Sequence, residues 1–253
     1  MDDSRHDFSC HLSIIRGVSH GFRRARRTRN GWRSRCSRVC RGLLCALAFG
    51  ALAVPASDAE RMQQFVLQRF GADGARNLHD WRDMLGRPAA SNDNDRLRQV
   101  NDFFNRRIQF QDDVVVWSQL DYWATPLETL GKGAGDCEDF AIAKYFSLIE
   151  LGVPASRMRL TYVRARIGAA GSAVTQAHMV LSYYAQPESE PVILDNLITE
   201  IRPAGRRPDL TPVFSFNGDG LWMAGADKPA SSVDRLSRWK DLLIRMKAEG
   251  YEP

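Results

Sequence analysis

Apolar residues recur at helical spacing through the first fifty residues after position 57. The segment 58–70 shows this spacing and ends at Gly71, and the segment 75–86 predicts a second short helix. A third helix is predicted to follow the capping residues at 91–95. Its apolar residues fall on one face, and they are Leu97, Val100, Phe103 and Phe104. The N-terminal part of the domain is therefore predicted to be mostly helical.

The pattern then changes to an extended stretch followed by one strongly apolar helix. Residues 112–135 contain Pro126 and three glycines, and they predict an extended, loop-like segment. Residues 137–151 predict a helix whose apolar positions cover most of its circumference, with interruptions at Lys144 and Glu150. Such a helix is expected to be buried on most sides.

A period of two replaces the helical period after residue 157. Strands are predicted at 157–167, 177–185 and 192–197, and a hairpin is predicted at 211–225. The final segment, 231–250, returns to helical spacing. Its apolar stripe runs through Val233, Leu236, Leu243 and Met246. This order of elements predicts an α+β fold with helices first, then an antiparallel meander that has one helix packed against it.

The formal charge of +5 is distributed unevenly along the chain. Residues 1–45 carry eleven Arg and three Asp, whereas the remainder carries 24 basic and 27 acidic residues. The basic stretch and the short apolar run at 43–54 predict a leader with a signal peptide at 1–56 and a mature domain at 57–253. An uncut N-terminal anchor is the alternative. Because the predicted mature domain is slightly acidic, nucleic-acid binding is not expected.

Cysteine usage singles out one residue. The chain has five cysteines, and the leader holds Cys10, Cys36, Cys40 and Cys45. Cys137 alone remains in the predicted mature domain. A lone cysteine in an exported domain cannot form an internal disulfide. A buried small hydrophobic residue is the plain alternative, but the charged neighbours of Cys137 argue against it.

The position of Cys137 favours an ionised thiol. Asp136 is predicted to be the N-cap of the 137–151 helix, which places Cys137 in the first turn. The unpaired backbone N–H groups and the positive dipole end of a helix stabilise an anion there, and this lowers the pKa of a thiol. The same N–H groups would face an oxyanion.

A nucleophilic cysteine needs a base, and the mature domain offers two histidines. His79 lies in the helical region and is expected at the surface or in packing. His178 begins the strand 177–185 and Asp195 lies in the next one, so the two meet near one sheet edge if these strands pair. Asp195 would then accept from one imidazole nitrogen while the other faces Cys137. On spacing alone, a loop histidine and a turn aspartate remain the alternative.

The chain contains three notable sequence blocks, "GKGAGDCEDFAIAKYFSLIELGVPASRMRL", "AHMVLSYY" and "VILDN", and the upstream segment "DYWATPLETL". Together they resemble the bacterial transglutaminase-like cysteine proteinases, and specifically the LapG family. The resemblance covers about residues 60–250. It implies a papain-like, transglutaminase-like core with a catalytic triad of Cys137, His178 and Asp195.

The same resemblance implies a biological role. Members of the family act in the periplasm, where they clip the N-terminal retention module of large surface adhesins and so release cells from biofilms. An inner-membrane receptor that responds to cytoplasmic cyclic-di-GMP sequesters them. We therefore expect an adhesin substrate and such a receptor as partners, and we expect the free protein to be a monomer. The hairpin tip at 218–221 is a candidate receptor contact.

Three acidic residues, Asp136, Glu138 and Asp139, surround Cys137. They complement the helix dipole as caps, but negative charge beside a thiol opposes its ionisation. A hard cation would cancel this repulsion, and calcium takes six to eight oxygen ligands from carboxylates and carbonyls. The sequence therefore predicts that these three residues hold Ca²⁺ next to Cys137, and the calcium dependence of the family implies the same. Asp121 is a further candidate ligand.

Other assignments stay open at this point. Trp123 either donates its indole N–H toward the oxyanion, as in transglutaminase-like folds, or is a core or cleft-wall aromatic. A protein-glutamine acyltransferase would use the same triad and differ only in its acceptor. A non-catalytic, calcium-dependent docking module would keep the scaffold without the chemistry.

Overall fold

The structure is a computed structural model that describes residues 57–87, 92–169, 171–226 and 228–251. The predicted leader at 1–56 lies outside the described residues. The helices are α1 (Asp58–Leu85), α2 (Asp93–Arg107), α3 (Asp113–Val116), α4 (Pro126–Lys132), α5 (Cys137–Glu150) and α6 (Ser237–Ala248). The strands are β1 (Gln109–Phe110), β2 (Ala134–Gly135), β3 (Met158–Arg166), β4 (Thr175–Tyr183), β5 (Val192–Leu194), β6 (Arg202–Pro203), β7 (Leu210–Asn217) and β8 (Gly220–Met223).

The N-terminal helices follow the predicted pattern. Helix α1 contains one residue with non-helical backbone angles, Gly71 (φ 74°, ψ −163°), so it consists of two helices joined at the predicted break. This positive φ suits glycine because the residue has no Cβ. Helix α2 begins after the N-cap Asn92, whose side chain accepts from the backbone N–H of Asp95 at 3.0 Å.

The predicted extended segment 112–135 is wrong in two places, because it contains helices α3 and α4. Helix α4 begins at Pro126, a residue whose fixed φ suits the first helical position. Thr125 and Glu128 form a reciprocal capping box at its start. This local helix signal is present in the sequence, whereas the three glycines further along favour a loop.

Helix α5 is the centre of the molecule. Asp136 is its N-cap, as predicted, and every residue from Cys137 to Leu148 is buried. The helix packs against β3 and β4 on one side and against α2 and α4 on others. The all-round apolar pattern is therefore confirmed as that of a core helix.

The sheet has six antiparallel strands in the order β6-β5-β4-β3-β7-β8. Strands β3 to β5 form the predicted meander, and the short strand β6, which was not predicted, extends it. Strand β7 pairs with β3 on the opposite side rather than with β6. A simple meander is thus wrong for the last hairpin. The chain crosses over after β6, which leaves β3 and β4, the two longest strands, at the centre of the sheet.

Helix α6 covers the core through Trp239, Leu242 and Met246. The predicted stripe was wrong by one residue in its middle, because Leu243 is exposed and Leu242 is buried. Within the described residues, the structure contains no helix with the length and apolar character required to cross a membrane.

Candidate active site and acidic cluster

Cys137 is the first residue of α5 and is only 2% exposed. The side chain of Asp136 accepts from the backbone N–H of Glu138 at 3.2 Å, and that of Asp139 accepts from the backbone N–H of Asp136 at 3.4 Å. This reciprocal capping box fixes the start of the helix. The thiol therefore lies at the positive end of the helix dipole.

The thiol has an acidic neighbour. Cys137 Sγ donates to Glu138 Oε2 at 2.7 Å. A carboxylate that accepts this proton stabilises the neutral thiol rather than the thiolate. Glu138, one of the acidic neighbours that the sequence predicted, is thus in direct contact with the sulfur atom and opposes its ionisation as long as its charge is uncompensated.

His178 and Asp195 are brought together by the pairing of β4 with β5. Leu181 pairs with Leu194, so Asp195, the residue after β5, lies opposite Val180. Val180 is two positions after His178, and the two side chains therefore lie on the same face of β4. His178 Nε2 and Asp195 Oδ1 are 2.7 Å apart, and both residues are 2% exposed. His79, in contrast, has a side chain that is 70% exposed and lies beside Asp83.

Cys137 and His178 lie on elements that pack together, since α5 lies against β4. Tyr162 on β3 pairs with Met179, the residue after His178. Burial, together with the charges of Glu138, Asp121 and Cys137, raises the pKa of Tyr162 well above its usual value. The start of α5 therefore lies close to Tyr162, on the strand that pairs with β4 next to His178.

Asp195 is held in its ionised form. Burial opposes ionisation, but hydrogen bonds from His178, from the backbone N–H of Leu197 at 3.1 Å and from Arg207 outweigh it. Together they hold the pKa of Asp195 well below its usual range. Arg207 Nη2 donates to Asp195 Oδ2 at 2.7 Å. The role of Arg207 is not predictable from the sequence, because nothing local indicates that a residue after β6 reaches Asp195.

The backbone carbonyl of Asp195 is also held. It accepts from Asn105 Nδ2 at 2.8 Å and from Lys144 Nζ at 3.1 Å. Lys144 Nζ further donates to Asn101 Oδ1 at 2.8 Å. Burial lowers the pKa of Lys144 to about 7. The polar residue that interrupts the apolar surface of α5 thus ties β5 to helices α2 and α5.

Buried carboxylates form two overlapping groups around Asp136. One group contains Asp136, Cys137 and Glu138, and the other contains Asp113, Asp136 and Asp139; in each group the possible ligand atoms lie within 4.8 Å of one another. The predicted ligands therefore divide between the two groups, with Asp136 in both. Asp113 was missed by the sequence analysis, because the expected loop concealed helix α3, which it begins.

The acidic cluster has the features of a cation site. Burial, followed by the charges of Glu138 and Asp121, raises the pKa of Asp113 to about 7. Burial and the charge of Asp113 raise the pKa of Asp139 well above its usual value. Asp113 Oδ1 is buried without a hydrogen-bond partner among the described residues. Crowded, desolvated carboxylate oxygens of this kind fit a hard cation such as Ca²⁺.

Asp121 lies at the edge of this cluster. Its carboxylate pairs with Arg238, and its Oδ1 is buried without a partner in the described part of the chain. Burial raises the pKa of Asp121, and the charge of Glu138 contributes to the increase. The negative charge of the cluster therefore acts on Asp121, while Arg238 already compensates part of the charge of Asp121.

Trp123 occupies the core beside these groups and is 4% exposed. Its ring stacks on Phe216 with centroids 5.5 Å apart, and it lies 6.3 Å from the ring of Tyr162. Its indole Nε1 is buried and has no hydrogen-bond partner among the residues that the structure describes. A buried N–H that lacks a partner is costly, so it marks a position where an acceptor would be stabilised.

Comparisons with known proteins agree with this architecture. The family described as bacterial transglutaminase-like cysteine proteinase, BTLCP, matches residues 79–208. Legionella pneumophila LapG in an EGTA-treated form is 38% identical over 76% of this chain and 100% of its own, with a TM-score of 0.64. The calcium-bound form of Legionella pneumophila LapG is 39% identical over 76% of this chain and 99% of its own, with a TM-score of 0.62. No curated protein matches the chain.

Proposed function

The chain belongs to the LapG family of bacterial transglutaminase-like cysteine proteinases, and from this premise we propose that it is a calcium-dependent endopeptidase with Cys137 as nucleophile, His178 as base and Asp195 as orienting residue. The buried contact of 2.7 Å between His178 and Asp195 carries the proposal. It supplies an oriented imidazole on the strand that packs against the helix of Cys137.

The contact also supports a separate role for each imidazole nitrogen. Because Asp195 is ionised, it accepts from Nε2–H, and Nδ1 is left to exchange a proton with the thiol. Cys137 attacks a backbone carbonyl, and His178 then donates a proton to the leaving amine. In the second step His178 accepts a proton from water, which attacks the thioester and releases the acid. Backbone N–H groups at the start of α5 and the indole N–H of Trp123 would stabilise the oxyanion.

Calcium enters the proposal through the acidic cluster. Asp136, Glu138 and Asp139, with Asp113, would hold the ion. A bound Ca²⁺ supplies positive charge that compensates these carboxylates. Glu138 would then no longer accept the proton of Cys137, and Asp136 and Asp139 would keep the first turn of α5 in place.

The proposed substrate is the N-terminal retention module of a large surface adhesin, cleaved within an extended segment that has small side chains at an Ala-Ala site. The proposed location is the periplasm, reached after removal of the leader at 1–56. The proposed regulator is the periplasmic domain of an inner-membrane receptor that responds to cyclic-di-GMP. The support for these three points is family membership.

A cleavage assay tests the activity. The purified protein is incubated with an N-terminal adhesin fragment, in calcium and in EGTA, and the products are analysed by mass spectrometry. We expect two fragments in calcium, little cleavage in EGTA, and none with Cys137→Ser. Incorporation of a labelled amine into a glutamine-bearing peptide without hydrolysis would instead identify an acyltransferase.

The metal and catalytic assignments have their own controls. Full activity of Asp136→Ala and Glu138→Ala variants in chelator would exclude the calcium site. A Cys137→Ala protein that still supports adhesin release in cells would exclude hydrolysis by this thiol and favour a docking module.

A further inference from the structure

The side chain of Arg207 is almost completely buried, with 1% of its surface exposed, behind the His178–Asp195 pair. Its Nη2 donates to Asp195 Oδ2 at 2.7 Å and to Asp209 Oδ2 at 2.7 Å, and its Nε donates to Asp209 Oδ1 at 3.0 Å. The guanidinium thus bridges two carboxylates that lie on different segments of the chain. Its planar arrangement of donors suits such a bridge better than the point charge of a lysine does.

This contact gives the two carboxylate oxygens of Asp195 separate partners. Oδ1 accepts from His178 and from the backbone N–H of Leu197, whereas Oδ2 accepts from Arg207. A carboxylate that is fixed on both sides cannot rotate about its Cβ–Cγ bond without losing a charge-assisted hydrogen bond. The direction of Oδ1, and with it the plane of the His178 imidazole, therefore depends on Arg207.

A purely structural ion pair explains this arrangement less well. Burying an ion pair costs desolvation free energy that its Coulomb attraction often fails to recover, so it is a poor source of stability. Asp209 already accepts from two nitrogens of Arg207, Nε and Nη2, and remains partly exposed. The additional, fully buried contact is made to the residue that orients His178.

On the basis of the proposed function, we propose that Arg207 is a positioning residue that fixes the Asp195 carboxylate toward His178 and moderates the basicity of the imidazole. Four charged or titratable groups surround the His178–Asp195 pair. Arg207 and, behind it, Asp209 lie on the Oδ2 side, while Lys144 and Cys137 belong to helix α5.

The sign of the electrostatic effect follows from the charge of Arg207. A positive charge on the far side of Asp195 disfavours the imidazolium form of His178. Removal of the Arg207 guanidinium leaves the negative charge of Asp195 uncompensated on that side, while Asp195 still accepts from His178 and from Leu197. The pKa of the imidazolium should therefore rise by about one pH unit or more, because only the Asp195 carboxylate separates Arg207 from the imidazole.

Matched substitutions test the positioning role. Arg207→Met removes the charge and the donors but keeps much of the volume, and Arg207→Lys keeps the charge without the planar donors. Arg159→Met is the control, since Arg159 lies on the same sheet but packs over Trp222. We expect Arg207→Met to lower kcat about 10- to 100-fold with an unchanged KM. Arg207→Lys should lose about 3- to 10-fold, and Arg159→Met should match the wild type.

A measurement on His178 itself does not require proteolysis. In ¹⁵N-histidine-labelled protein, the resonance that disappears in His178→Gln identifies the imidazole, and its titration gives the pKa. We expect an upward shift of about one unit in Arg207→Met and less than half of that shift in Arg207→Lys. An unaltered kcat and an unaltered His178 titration in Arg207→Met would overturn the proposal.

The two readouts separate the possible failures. If Arg207→Met does not fold, full kcat in a folded Arg207→Lys protein overturns the positioning role. If the wild type cleaves no adhesin fragment, the proposed function fails. In that case the titration of His178 still decides whether Arg207 controls the imidazole.

Discussion

At the residue scale, the acidic neighbours of Cys137 indicate how a bound cation would favour ionisation of a thiol at a helix N-terminus. The helix dipole favours the thiolate by an amount of about 1 kcal/mol. Cys137 Sγ donates to Glu138 Oε2 at 2.7 Å. A hydrogen bond to a charged group contributes about 1.5–3 kcal/mol. The hydrogen bond to Glu138 therefore outweighs the helix dipole when the carboxylate charge is uncompensated, and the neutral thiol is favoured. A cation on Glu138 reverses the balance.

Trp123 provides a test of the oxyanion assignment at a single atom. Trp123→Phe removes the buried indole N–H and keeps a ring that can stack on Phe216. We expect kcat to fall about 100-fold, the usual consequence of losing one oxyanion donor. Steady-state kinetics on a peptide substrate measure the effect.

Trp239→Phe is the matched control for this change. Trp239 belongs to the same aromatic cluster and contacts Phe216 in a T-shaped arrangement, with ring centroids 5.4 Å apart. It should lose stability without a specific loss of kcat. Equal activities of the Trp123 and Trp239 variants would assign Trp123 to the core alone.

Lys144 makes a prediction about pH and stability. Its pKa in the folded protein is about 7, compared with an ordinary value of 10.5, because the ammonium group is buried. Between these values the unfolded chain binds the proton and the folded chain does not, so stability rises with pH across this window. The cost of burying the charge is fully present below pH 7.

Lys144→Met removes this cost together with the contacts to Asn101 and Asp195. We expect the stability of the variant relative to the wild type to decrease by about 1 kcal/mol or more between pH 6.5 and pH 9.5. Urea unfolding at both pH values measures it. The exposed Lys240→Met control should show no such dependence, and a pH-independent difference for Lys144→Met would contradict the assignment.

At the scale of elements, the junction between β2 and α5 positions the acidic cluster. A Cβ at Gly135 would lie 2.6 Å from Asp139 Oδ2 and 2.7 Å from Asp139 Cβ. The second contact involves an atom next to the backbone, so no rotation of the Asp139 side chain relieves it. Glycine at this position is therefore needed for the capping box and for the arrangement of its carboxylates.

Gly135→Ala should disturb both functions of the junction. We expect a loss of about 1–3 kcal/mol in stability from overpacking and a clear decrease in calcium affinity. Calorimetric titration with calcium and chemical unfolding measure the two effects. Gly86→Ala is the control, because its Cβ would meet Arg82 O at an ordinary 3.4 Å. Unchanged calcium affinity in Gly135→Ala would show that the cluster does not depend on this junction.

The elements also show what the sequence could predict. Helix α5, its N-cap Asp136 and the strands β3 and β4 were predictable because periodicity and capping are local signals. The crossing of β7 to the far side of β3 was not, because strand order depends on contacts between distant segments. The same reason hides Asp113 and Arg207, whose partners lie on other elements.

At the scale of the whole molecule, the acidic cluster connects three separate segments of the chain between residues 113 and 139. Asp113 belongs to α3, Asp136 and Asp139 to the start of α5, and Asp139 Oδ1 accepts from the backbone N–H of Ala124 at 2.7 Å. A cation bound here would hold these segments together in the folded state only. Binding to the folded state alone stabilises a protein by about 2.7 kcal/mol at a ligand concentration one hundred times Kd.

Calcium should therefore raise the melting temperature, and by an amount that depends on pH. For a chain of this size, this free energy corresponds to about 5–10 °C. The folded-state pKa of Asp113 without the ion is about 7, above its ordinary 3.8. Between these values the calcium-free folded protein takes up a proton that the unfolded chain lacks, so its stability falls as pH rises through this window. Calcium replaces that proton.

Thermal unfolding in calcium and in EGTA, at pH 5 and at pH 8, measures the effect. We expect the difference in melting temperature to be larger at pH 8, because at pH 5 protons already neutralise Asp113 and compete with the ion. Asp113→Asn should reduce the difference at pH 8, whereas Asp73→Asn, at an exposed position on α1, should leave it unchanged. An equal shift at both pH values would mean that calcium binds elsewhere, since carboxylates that must release protons to bind a cation cannot give a pH-independent affinity.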